Sequence, residues 1–82
     1  MKLTIRAVGE RALLEDPPDT TTGSEQHCID YLRDFLVALE VFDPDDDEDQ
    51  EHLDEMAALS TLADALQFFN AWAEEYEAER LE

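Results

Sequence analysis

The side chains of this sequence that could do chemistry are its carboxylates. Residues 43–55, DPDDDEDQEHLDE, place nine of them in thirteen positions with no Lys or Arg among them. Like charges at that density repel one another and destabilise a compact state, so the run must serve something other than stability. Carboxylates can ligate a hard cation, attract a basic surface or, singly in an apolar pocket, exchange a proton. A calcium loop needs acids at positions 1, 3, 5 and 12 and Gly at 6. Counted from Asp43, the acids Asp43, Asp45, Asp47 and Asp54 fall in register. Position 6 is Glu48, which adopts the required turn only at a cost, and position 8 is Gln50 in place of an apolar side chain. The spacing fits a diffuse attraction for cations better than a cage.

His27, Cys28 and His52 are the only nitrogen or sulfur ligands, too few for a transition-metal site. Cys28 falls on an apolar helical stripe, where it serves as a small hydrophobe. Its neighbour His27 points about 100° away on a helix, so the two cannot form a nucleophile–base pair. No acid falls inside an apolar stripe, so no carboxylate is held ready as a general acid. The reading is of a binding protein rather than an enzyme, with no cofactor expected.

The formal net charge of −18 is unevenly spread. Residues 1–24 carry three bases and four acids, whereas residues 25–82 carry 19 acids against Arg33 and Arg80. Such a surface is repelled by nucleic acid and by anionic lipid. A single cysteine precludes an intrachain disulfide and suits a reducing compartment. No stretch approaches the ~18 apolar residues of a membrane span, and residues 1–8 alternate rather than form the apolar segment of a secretory signal. A cytoplasmic protein of one 82-residue domain is expected.

The elements that must position these acids follow from periodicity. Leu3, Ile5 and Ala7 alternate with Lys2, Thr4 and Arg6, which predicts a half-buried strand. Gly9-Glu10 suits a tight turn, and residues 11–15 can return as the second strand of a hairpin. The Pro pair and Thr run of 16–23 predict a loop. Ser24 caps a helix over 25–42, with Cys28, Leu32, Phe35, Leu36 and Leu39 on its inner stripe and Asp30 and Asp34 opposite. Asp43-Pro44 ends it and opens an acidic loop over 43–47. Residues 48–82 read as one helix or two, with a restart at Thr61-Leu62-Ala63-Asp64, which resembles a capping box. Leu53 and Met56, then Leu62, Ala65, Leu66, Phe69, Ala73 and Tyr76, face inward. The fold class is α+β: an N-terminal β-hairpin followed by two or three packed amphipathic helices.

The outward positions form the candidate binding surface: Asp30 and Asp34 on the first helix; Asp43, Asp45, Asp46, Asp47, Glu48, Asp49, Glu51, Asp54 and Glu55 in the acidic run; Asp64, Glu75 and Glu79 on the last helix. Phe68 falls near Asp64, Glu75 and Glu79, and an exposed aromatic among acids has the composition of a binding hot spot. The plainer alternative packs Phe68 beneath the hairpin or across a homodimer. Trp72 reads as core. Carboxylates three or four apart on a helix lie about 5–6 Å apart at Cβ, comparable to the spacing of phosphates along a DNA strand.

In length, extreme acidity, helical carboxylate faces and compact α+β pattern, the chain resembles the small phage-encoded proteins that imitate DNA and disable bacterial defence, anti-CRISPR proteins and restriction inhibitors among them. The resemblance is one of class and rests on no motif. It implies a stoichiometric inhibitor whose partner is a basic nucleic-acid-binding protein or complex. The alternatives are an acidic adaptor docking on some other basic protein, and a haloadapted domain, since one Lys against 23 acids is the balance molar salt selects. Haloadaptation should coat the whole surface, whereas the charge here is confined to residues 25–82.

Overall fold

The alternating N-terminal segment becomes the middle of a three-stranded antiparallel sheet in the computed structural model, which describes residues 1–14 and 17–81. Strand β1 (Lys2–Ala7) turns Leu3 and Ile5 into the core and exposes Arg6. It is flanked by β2 (Asp19–Thr22) and β3 (Tyr76–Arg80) in the order β2-β1-β3. Ile5 stands opposite Asp19 on one side and Ala78 on the other.

The α+β class and the order of N-terminal strands followed by packed helices are as expected, but the boundaries differ. The return strand expected at 11–15 is a 3-10 turn, Gly9–Leu14, and the strand forms later, inside the stretch expected as a loop. Gly9 adopts a φ of 63°, which a glycine takes without strain and which turns the chain away from β1. The Pro pair bars helix but not a strand beginning after it, and three β-branched Thr residues suit a pleated edge. Glu15 and Asp16, the end of the expected strand and the start of the expected loop, lie outside the described residues, as does Glu82.

Three helices pack with the sheet around one core. Helix α1 (Glu25–Ala38) is capped by Ser24, whose Oγ accepts from the His27 amide at 3.1 Å. It buries Cys28, Ile29, Leu32 and Leu36. Gly23 leaves room for the His27 ring, since a Cβ there would come within 2.6 Å of it. The helix expected to reach residue 42 ends four residues earlier. Glu40, at φ 61°, donates its amide to the Val37 carbonyl, and Val41 donates to Leu36, which closes a Schellman motif. Phe42 then folds back into the core, 2% exposed.

Helices α2 (Asp47–Ala57) and α3 (Leu62–Trp72) are separate, with the second capped by Thr61 as the sequence suggests. The acidic run is therefore only partly a loop, because helix begins at Asp47. Leu53 and Met56 are buried from α2, and Leu62, Ala65 and Phe69 from α3. Glu25 joins two helix N-termini: it lies in the first turn of α1 and accepts from the Leu62 amide of α3 at 3.1 Å. The last expected helical segment is strand β3. Asn70, near the end of α3, donates to the Ala78 carbonyl at 3.1 Å and accepts from its amide at 2.8 Å. That clamp turns the chain out of the helix and pins the new strand beside β1.

Candidate partner-binding surface

The acids of 43–55 divide by what their carboxylates do. Asp46 caps α2, accepting from the Glu48 and Asp49 amides at 2.9 and 3.2 Å. Asp43 accepts from the Asp45 amide, and Asp49 reaches back to the Asp43 amide, both at 2.9 Å. Asp43, Asp46 and Asp49 thus fold the entry to α2, and a helix N-terminus favours their charge. Asp45, Asp47, Glu48, Glu51 and Glu55 are exposed and make no such bond to the chain among the described residues. Asp54 is exposed and accepts from Gln50 at 2.9 Å. From Asp47 onward the acids are drawn out along a helix instead of wrapped round a point. Among the described residues no group of three His, Cys, Asp or Glu side chains is placed to hold a metal.

The remaining expected site residues are not all brought to that surface. Asp30 and Asp34 flank Arg33 at 3.5 and 3.9 Å. Glu75 does not lie on α3 but in the turn after it, and accepts from Arg11 Nε at 3.1 Å and Nη2 at 2.9 Å. Glu79 lies on β3, 3.9 Å from Arg6, which also meets Glu77 at 3.5 Å. Of the three acids expected on the last helix, only Asp64, exposed in the first turn of α3, lies on it. Every ion pair between described residues therefore uses Arg6, Arg11 or Arg33. The eleven carboxylates of residues 40–64 take part in none of them.

The two aromatics of α3 have exchanged the roles expected of them. Phe68 is half-buried and packs on Phe42 and Trp72, with both ring centroids 6.3 Å away. Trp72 is 41% exposed, lying edge-on to Phe42 at 5.0 Å and against His52 at 4.8 Å. His52 also stacks on Phe42 at 5.3 Å, so it serves as a wall of this cluster. The reason is the early end of α1: Phe42 folds back under α3 and takes the space a core Trp72 would fill. Cys28 is fully buried, and His27 hydrogen-bonds Thr21 at 2.8 Å on the other side of the molecule's first helix turn.

Two acids the sequence reading left aside, Glu40 and Glu74, are exposed beside Trp72. Their signal in the sequence is slight: a helix end without Gly at Leu39-Glu40-Val41, and a Glu pair separated by one Ala from the only Trp. No helix among the described residues is long and apolar enough to cross a membrane. Comparisons of the chain with protein families, curated proteins and solved structures find no match.

Proposed function

We propose that this protein is a DNA-mimic inhibitor that occupies the basic nucleic-acid groove of a bacterial defence complex, of the anti-CRISPR kind, in the cytoplasm of the host cell. The observation that carries this reading is the set of eleven carboxylates of residues 40–64 that form no ion pair with another described residue, while acids near the sheet are paired. Charge left unpaired on one part of a small domain attracts an external basic surface over long range. Scale supports the same reading. The longest dimension is 34 Å, about one turn of B-DNA, which carries about twenty phosphates over that length. The formal charge of −18 is of that order.

The test is capture from the lysate of a CRISPR-bearing bacterium, with and without excess duplex DNA. The reading expects nucleic-acid-binding complexes on the bait, released when duplex is added. Recovery only of proteins that bind no nucleic acid, or retention unaffected by duplex, overturns it and leaves the acidic-adaptor alternative.

A further inference from the structure

The ends of two helices meet at a cleft of about 380 Å³ whose walls include Arg11, Glu40, Trp72, Glu74, Glu75 and Tyr76. Helix α1 ends at Ala38 and α3 at Trp72, and neither carries a basic residue in its last turn. The negative ends of two helix dipoles are thus directed at the cleft without a cation of their own helix to meet them. The cleft already holds one guanidinium, that of Arg11. Arg11 bonds to Glu75 and lies over the Tyr76 ring, 5.8 Å from its centroid. The same cleft is lined by a second set of that composition, an exposed indole, Trp72, with Glu40 and Glu74, which make no ion pair with any described residue. Glu40 is also the one described non-glycine residue with positive φ. A side chain is strained there relative to Gly, and strain of this kind gathers where a side chain is needed for function.

We infer that the part of the cleft lined by Trp72, Glu40 and Glu74 seats an arginine side chain of the partner, stacked on the indole and bonded by the two carboxylates. Arginine fits better than lysine, because a planar guanidinium stacks on an aromatic face and offers a fork of donors to carboxylates. The inference rests on the reading of a basic partner and supplies what charge alone lacks, a short-range contact that distinguishes one basic groove from another.

Trp72 is the only tryptophan, so its fluorescence reports the site directly. The probe is N-acetyl-arginine amide, titrated at constant ionic strength, with N-acetyl-lysine amide in parallel. The expected result is a saturable change in emission with the arginine amide and weaker binding of the lysine amide. Glu40→Gly with Glu74→Gln should weaken the arginine amide about fivefold. The control, Asp19→Asn with Glu77→Gln, removes the same charge at the sheet and should change binding by less than about twofold. Glu40→Gly alone should melt at the same temperature as the parent or higher, because Gly relieves the positive φ. A response that never saturates, no preference for arginine, or equal loss in the control overturns the inference. None of these outcomes bears on whether duplex DNA displaces a captured complex, so the two proposals fail separately.

Discussion

Asp46 and Asp45 are neighbours of the same type with different work. Asp46 holds two amides at the start of α2, so Asp46→Ala should cost about 1 kcal/mol in a urea melt. Asparagine caps almost as well, so replacing Asp45, Asp46 and Asp47 together by Asn should leave the chain folded. That triple variant should bind its partner with a slower association rate and a nearly unchanged dissociation rate, because long-range attraction acts on encounter. Phe68 and Trp72 divide in the same way. Phe69→Ala opens a void in the core and should cost about 3–5 kcal/mol, and Phe68→Ala, half-buried on Phe42, about 1.5–3 kcal/mol. Trp72→Ala should weaken partner binding more than either does when each variant is measured below its melting point. Tyr31 provides a probe outside the acidic run. Burial, and then the charge of Asp19, raise its pKa above the ordinary tyrosine value of 10.0. The folded state therefore prefers the neutral phenol. Its contribution is fully present below pH 10.0 and is lost as pH rises through the higher folded value. Tyr31→Phe should flatten the fall in melting temperature between about pH 9 and about pH 11, and an unchanged fall would mean another group is responsible.

The helices were legible in the sequence because each has a cap and an inner stripe. Ser24 and Thr61 cap where expected, and Leu32, Leu36, Leu53, Met56, Leu62 and Phe69 are buried where the 3.6-residue period places them. The strands that pair with β1 were not legible, since pairing is decided by distant residues. Tyr76–Arg80 is rich in Glu and Ala, which favour helix, yet it alternates, with Ala78 buried and Glu77 and Glu79 directed at Arg6. What tips the balance is Asn70, eight positions before Ala78, whose side-chain amide meets both backbone groups of Ala78. An edge strand held this way has no open pair at its centre. Asn70→Ala should cost about 1–3 kcal/mol and speed hydrogen exchange at the Ala78 amide before exchange in α1 is affected. The acidic surface was legible in its core, the run from Asp43 to Glu55, but not at its margins. Glu75 and Glu79 left it once the last helix became a strand, and Trp72 joined it once Phe42 had filled the core.

For the molecule as a whole, the deciding feature is where charge is left unpaired. On the outer face of the sheet Arg6 meets Glu77 and Glu79, whereas residues 40–64 carry eleven acids and no Lys or Arg. A protein whose acidity answered to salt would be unfolded in dilute buffer. This one should remain folded there, with salt raising its melting temperature only by screening repulsion. Unfolding in dilute buffer with recovery in molar KCl would favour haloadaptation instead. The most direct measurement of the central claim is a titration of the captured defence complex, preloaded with a labelled DNA duplex, followed by fluorescence anisotropy. The expected result is complete release of the duplex at a fixed stoichiometric ratio of this protein to complex, with the midpoint moving to higher concentration as salt is added. A duplex that stays bound while this protein also binds, forming a ternary complex, would contradict occupation of the groove.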